Sequence, residues 1–203
     1  MSRAAFMQRK MPPMTHDQKK MSLVPGIIET VDGLIPDPLM EELFMSVHTP
    51  AAYRFGGRSN PDDQFGFWLA SIDSNVINAV IPFKRLWQTI DERITQGEYR
   101  IYHMIINANN FGDCPTVHSD IPKDKTDPEG YYTILYYANN EWTADWAGET
   151  VFFNPERDEI VRSIYPRPGR IAVFDSRIPH VSRTPSRGCT MVRYSIAIKV
   201  VRK

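Results

Sequence analysis

Near residue 98 the spacing of apolar residues changes, and the change divides the chain into two parts. Upstream, apolar residues recur three and four apart. Leu39, Leu43, Phe44 and Val47 form one such stripe behind Asp37-Pro38, which predicts a helix with an aspartate cap and a proline in its first turn. A longer helix is predicted over residues 74–96, where Val76, Ile77, Val80, Ile81, Leu86, Trp87, Ile90 and Ile94 recur at helical spacing. Pro82 should kink or divide it. Residues 23–31, apolar and β-branched with a Pro-Gly break at Pro25-Gly26, read as a first strand. Residues 51–64 are polar and rich in glycine and proline, which predicts a loop.

Downstream, short apolar runs succeed one another at residues 99–108, 115–118, 131–137, 150–153, 160–164, 170–174, 180–182 and 190–201. Turn-forming stretches separate them, among them Asn109-Asn110-Phe111-Gly112, Asp127-Pro128-Glu129-Gly130 and Pro166-Arg167-Pro168-Gly169. Evenly spaced short strands of this kind predict a β-sandwich or barrel of the jelly-roll type. The fold class expected is therefore mainly β with N-terminal helices. Residues 23–203 should form one domain with its β core at about 99–201, and residues 1–22, rich in Met, Lys and Arg, should form a flexible arm.

Composition narrows the picture further. The 203 residues are 42% hydrophobic and 24% charged, as in an ordinary globular protein, and the formal net charge is zero. Residues 154–203 hold 11 of the 24 basic residues and 4 of the 24 acidic ones. Their arginines are dispersed, without the aromatic-basic surface that reads nucleic acid, so a nucleic-acid partner is not expected. Cys114 and Cys189 cannot build a disulfide framework and suit a reducing, cytoplasmic setting. No apolar stretch reaches membrane-spanning length. Oligomeric state leaves no mark in the sequence.

Chemistry enters at Thr116-Val117-His118-Ser119-Asp120. On an extended chain, residues two apart share a face, so His118 and Asp120 present an imidazole and a carboxylate together. With His180 they would complete the two-histidine, one-carboxylate set of non-haem Fe(II) enzymes, which leaves metal positions open. His-x-Asp alone is a weak signal and also occurs in solvated loops. The last strand adds a second observation. Val192, Tyr194, Ile196 and Ile198 make a bulky apolar face, while Arg193, Ser195 and Ala197 make the other. That second face could line a pocket, with Arg193 and Ser195 holding a carboxylate. An edge strand with one solvated face would show the same alternation, and Lys199 favours that reading.

Five segments, in order, resemble the prolyl-hydroxylase-like branch of the 2-oxoglutarate/Fe(II) oxygenases. They are Tyr132-Thr133-Ile134-Leu135-Tyr136-Tyr137-Ala138-Asn139-Asn140-Glu141-Trp142, then Trp146-Ala147-Gly148-Glu149-Thr150-Val151-Phe152-Phe153, then Pro168-Gly169-Arg170-Ile171-Ala172-Val173-Phe174, Pro179-His180-Val181 and Arg193-Tyr194-Ser195-Ile196. The resemblance covers about residues 99–199 and implies a double-stranded β-helix (jelly-roll, cupin-like) core. It implies His118, Asp120 and His180 as iron ligands, Arg193 as the partner of the distal carboxylate of 2-oxoglutarate, and Tyr137 as an added hydroxyl. Arg187 competes with Arg193 for that role but lies in a turn. A tyrosine that the family often carries on its first barrel strand is absent, and Asn107 or Asn109 would substitute. Lys199 stands where many members have tryptophan.

The same resemblance implies a dioxygenase that uses Fe(II), 2-oxoglutarate and O2, with ascorbate as a possible reductant. It would hydroxylate an unactivated C–H bond of a prolyl or other protein side chain, or of a free amino acid or small metabolite, releasing succinate and CO2. Asp120 fills the metal position that a halide takes in related halogenases, which argues for hydroxylation. A non-catalytic jelly-roll module that binds metal or ligand is the alternative. A cupin-like zinc or manganese enzyme would leave Arg193 and Tyr137 unexplained. Glu149 reads more readily as a solvent-facing strand residue than as a partner of the site. Trp142 and Trp146 read as packing, and His16, His48 and His103 as ordinary histidines.

Overall fold

The computed structural model describes residues 21–49, 53–60, 63–121 and 129–203. The N-terminal arm expected at 1–22 falls almost wholly outside them, as do parts of the loop expected at 51–64 and of the turn expected at 127–130. Among the described residues, ten strands and three α-helices run in the order β1 (Ile28–Val31), α1 (Asp37–His48), β2 (Arg54–Gly57), β3 (Phe67–Ile72), α2 (Ser74–Ala79), α3 (Ile81–Ile90), β4 (Tyr99–Asn109), β5 (Tyr131–Tyr137), β6 (Thr150–Phe153), β7 (Ile160–Ile164), β8 (Ile171–Asp175), β9 (His180–Ser182) and β10 (Arg193–Arg202). They build two antiparallel sheets, one of seven strands in the order β1-β8-β5-β10-β4-β3-β2 and one of three in the order β7-β6-β9. This is the jelly-roll architecture predicted.

Side-chain alternation explains the layering. On β5, Ile134 and Tyr136 join the core formed with α1 and α3, whereas Leu135 and Tyr137 join a second core between the sheets. Both faces are covered, so all seven residues of β5 are buried. β10 repeats the pattern: Tyr194, Ile196 and Ile198 face the helices. Arg193, Ser195 and Ala197 face inward and are themselves buried. β10 lies between β4 and β5 over most of its length, which removes the edge-strand reading.

Several expected elements differ in detail. α1 begins at Asp37, its cap is Pro36 without a side-chain hydrogen bond, and Asp37 sits inside the first turn, where its charge meets the helix dipole. The long second helix is divided. α2 ends at Ala79, Val80 is extended, Pro82 opens α3, and residues Asp91–Thr95 form a π-helical turn. Of the predicted stripe, Ile77, Leu86, Ile90 and Ile94 are buried, but Ile81 is exposed and Phe83 takes a core place. The loop expected at 51–64 contains β2, and β3 comes after it where no strand was predicted. The 115–118 run forms no strand, although His118 pairs with His180 as an isolated bridge. The first strand is shorter than expected, because residues 24–27 turn before it.

Asp32, just after β1, fastens that edge. It accepts Arg170 Nε and Nη2, each at 2.8 Å, and Arg167 Nη1 at 3.1 Å. The Arg170 hydrogen bonds, opposed by burial, lower the Asp32 pKa from 3.8. Asp32→Asn should cost about 1–2 kcal/mol near neutral pH, mostly through the better-shielded Arg170 pair. Because the folded pKa is depressed, this contribution is present above the unfolded value and is lost as pH falls through the folded one. Urea titrations of the two proteins should thus differ at pH 7 and converge in acid below pH 3.8. An equal difference at both extremes would remove the carboxylate as its source.

Candidate active site

Two histidines far apart in sequence meet across a backbone ladder. His118 N–H donates to the His180 carbonyl at 3.0 Å, and His180 N–H donates to the His118 carbonyl at 2.8 Å. Residues that exchange both bonds present their side chains together on one face, and the rings lie 4.6 Å apart between centroids. Asp120, two residues on, is tied by its own N–H to the Ser176 carbonyl at 2.8 Å. Its carboxylate is buried, with Oδ1 3.5 Å from His118 Nε2 and Oδ2 3.4 Å from His180 Nε2.

Each ring is oriented by the same local contact. His118 Nδ1 lies 2.9 Å from the Thr116 carbonyl and His180 Nδ1 lies 2.9 Å from the Ile178 carbonyl. A carbonyl only accepts, so Nδ1 carries a proton in both rings and Nε2 is the atom each ring offers on the Asp120 side. One ligand atom from each of the three residues falls within a span of 4.8 Å. Two imidazole nitrogens and a carboxylate suit a divalent transition metal. Burial raises the Asp120 pKa, but the Lys199 ammonium and His180 outweigh it and hold the carboxyl well below its usual range. Thr133 Oγ1 donates to Asp120 Oδ2 at 2.8 Å, and Lys199 Nζ lies 2.7 Å from Oδ1.

A cavity of about 210 Å³ adjoins the cluster, lined by inward residues of β3, β4, β5 and β10 together with His118, Asp120 and His180. Arg193, two residues before the cavity-lining Ser195 on β10, is fully buried. Arg193 Nε donates to the Gly148 carbonyl at 2.6 Å, Nη2 to Thr150 Oγ1 at 3.1 Å and Nη1 to Ser195 Oγ at 3.3 Å. Tyr137 Oη donates to Thr150 Oγ1 at 2.8 Å, and its ring lies 5.4 Å from the guanidinium carbon. Burial pushes the Tyr137 pKa up, so the phenol stays a donor. Burial also lowers the Arg193 pKa, with Tyr137 and Glu149 opposing it. Gly148 has φ +84°, and a Cβ there would stand 3.0 Å from Trp142 and 3.2 Å from Arg193. Only glycine lets that backbone approach the guanidinium so closely.

Asn107 lies opposite Ser195 on β4 and lines the same cavity. Its Oδ1 is buried without a hydrogen-bond partner among the described residues, a place where a bound polar molecule or water would complete the wall. Asn109 is buried one step further along, accepting Ser182 Oγ at 3.3 Å. Thus His118, Asp120 and His180 cluster in the cavity wall with Ser195 and Thr150, while Arg193 and Tyr137 do not line it and reach it only through hydrogen bonds, Arg193 to Ser195 and Thr150 and Tyr137 to Thr150. Arg187 is exposed and does not line the cavity. Trp142 is buried and packs on Trp146 edge to face, as expected for packing.

Sequence reasoning missed three contributors. Thr150 bridges Tyr137 and Arg193, and it shares an inward face with Phe152 two residues on. Thr133 holds Asp120 and shares a face with Leu135 and Tyr137. Period-two alternation would have found both. His103, read as an ordinary histidine, lines the cavity, and desolvation together with Lys199 lowers its pKa.

Residues 100–198 match the sequence model of the 2OG-Fe(II) oxygenase superfamily. No curated protein sequence matches the chain. Among solved structures, a prolyl hydroxylase from Trichoplax adhaerens, in complex with a hypoxia inducible factor oxygen degradation domain peptide fragment, is similar with TM-score 0.65 and 20% identity, over 86% of this chain and 83% of that one. A prolyl-4-hydroxylase from Pseudomonas putida is similar with TM-score 0.60 and 16% identity, over 88% and 94%. An oxidoreductase of the 2OG-Fe(II) oxygenase family from Burkholderia pseudomallei gives TM-score 0.62 and 13% identity, over 87% and 85%. At these identities the likeness is one of fold, and it extends through the N-terminal helices. The sequence match spans β4 to β10 and includes all three members of the His-Asp-His cluster, and the chain belongs to the 2OG-Fe(II) oxygenase superfamily.

Proposed function

We propose that the protein hydroxylates an unactivated C–H bond of a protein side chain or small molecule, with Fe(II) held by His118, Asp120 and His180. Membership of the superfamily implies Fe(II), 2-oxoglutarate and O2 as its chemical equipment. The observation that carries the reading is the pair of Nε2 atoms 3.5 and 3.4 Å from one buried carboxylate, with one ligand atom from each residue within 4.8 Å of the others. Bound Fe(II) with 2-oxoglutarate supplies oxidative decarboxylation to succinate and CO2, coupled to transfer of one oxygen atom of O2 to the acceptor. The residues of this chain do the rest.

Arg193 would hold the distal carboxylate of 2-oxoglutarate through two hydrogen bonds, supported by Ser195 and by the Tyr137–Thr150 pair. Asn107 would turn its amide to the cosubstrate in place of the absent tyrosine. Phe174 and Phe152 pack against the His180 ring and keep water from that side. Asp120, with Thr133 fixing one oxygen, supplies the single protein charge on the metal. Ascorbate would serve only to return oxidised metal to Fe(II).

Given Fe(II), ascorbate and O2, the protein should convert 2-oxoglutarate slowly to succinate even without an acceptor. Succinate measured against a metal-free control tests this. No excess succinate across a panel of peptides and amino acids would replace the oxygenase reading with a non-catalytic binding module.

A further inference from the structure

The inner face of β10 carries a cation at each end. Arg193 is surrounded by Gly148, Thr150, Ser195 and Tyr137. Lys199 lies six residues on, roughly 20 Å along an extended strand, and its ion pair is with Asp120 Oδ1, at 2.7 Å. The Lys199 side chain is only 15% exposed. Arg54, on β2, and Arg58, just after it, also line the cavity, and both are exposed. Against these cations Asp120 is the only carboxylate in the cavity wall among the described residues.

Charge balance then points to a missing anion. In the function proposed for the site, on which this inference rests, Asp120 is committed to the metal. Of the two carboxylates of 2-oxoglutarate, one is committed to the metal and the other to Arg193. That set is neutral. Lys199 and Arg54 remain, and a mostly buried ammonium without a full counter-charge is costly. Phe67, Leu69 and Ile105 line the same cavity and would accept an aliphatic chain.

We infer that the acceptor is an aliphatic carboxylate, and that Lys199, assisted by Arg54, selects it. The ammonium stands beside the metal ligand Asp120, so a carboxylate bound there places its neighbouring C–H bonds near the reacting centre. A nucleic-acid phosphate fits less well, because these cations converge in a cavity and do not form the extended basic surface that tracks a backbone.

The test is binding, read by calorimetry on the Mn(II)-loaded protein with 2-oxoglutarate under nitrogen. The probes are matched pairs: N-acetyl-aspartyl amide against N-acetyl-asparaginyl amide, and N-acetyl-leucine against its amide. The first pair reports a side-chain carboxylate and the second a free terminal one. In at least one pair the acid should bind about tenfold or more tightly than the amide, as for a charge-assisted hydrogen bond. Lys199→Gln should erase the preference and Arg54→Gln should reduce it. Arg54 is exposed, so its variant keeps the test open should Lys199→Gln fail to fold.

Equal binding of acid and amide in both pairs, or no binding by any of them, overturns the inference. So does a preference that survives both substitutions. A short single-stranded oligonucleotide that displaces the acid at lower concentration would reassign the cations to phosphate. Binding of 2-oxoglutarate itself is measured first. If it fails, the cosubstrate reading falls, and this inference falls with it for that separate reason.

Discussion

His180→Ala should be folded, should bind Fe(II) more than about 100-fold more weakly, and should form no succinate. The magnitude is set by the ligand shell: losing even an outer hydrogen-bond partner of a ligand costs about 10- to 100-fold in affinity, and losing the ligand itself costs more. His180 holds its β9 place through backbone bonds that alanine retains. His118→Ala should behave alike. Asp120→Ala should differ, because it also leaves Lys199 buried without its partner. Breaking a buried pair costs about 3–5 kcal/mol, so this variant should lose stability as well as metal. Metal content after dialysis, with thermal melts of all three variants, separates the two effects. Wild-type iron affinity and turnover in any one variant would remove that residue from the ligand set.

Arg193→Ala should raise the concentration of 2-oxoglutarate needed for half-maximal turnover by roughly two to three orders of magnitude, the equivalent of losing one partner of a buried charged pair. The guanidinium is fully buried, and its fork already points into a ring of polar groups. Arg187→Ala should change the requirement little, since Arg187 is exposed on its turn. Titrating 2-oxoglutarate against both variants, with circular dichroism to confirm folding, decides between them. The reverse ranking would transfer the role to Arg187.

Much of the β core was legible because local pattern and long-range pairing agree there. β5, β6, β7 and β9 begin and end where their apolar runs do. The inward alternation of Arg193, Ser195 and Ala197 was visible for the same reason. β2 and β3 were not legible. Residues 54–57 include two glycines, and Phe67–Ile72 mixes small and large residues without strict alternation. They are strands because β4 offers β3 a partner, and a local pattern carries no record of that partner. Lys199 shows the same limit: a lysine near the end of a strand reads as a solvated residue until the partner carboxylate is located. His118 and His180 were found as residue types, but their adjacency depends on a ladder between two segments that sequence spacing does not connect.

That ladder has a thermodynamic consequence. In small zinc-binding domains the ion gathers its ligands, so binding free energy is largely folding free energy. Here the entropy of closing the long loop between the two histidines is offset by backbone hydrogen bonds and by the sheets around them. The polypeptide presets the distance between the donors, and the ion adds little order when it arrives. Affinity at such a centre is governed by ligand chemistry and by the electrostatics of Asp120, so metal exchange can proceed without melting the scaffold that holds it.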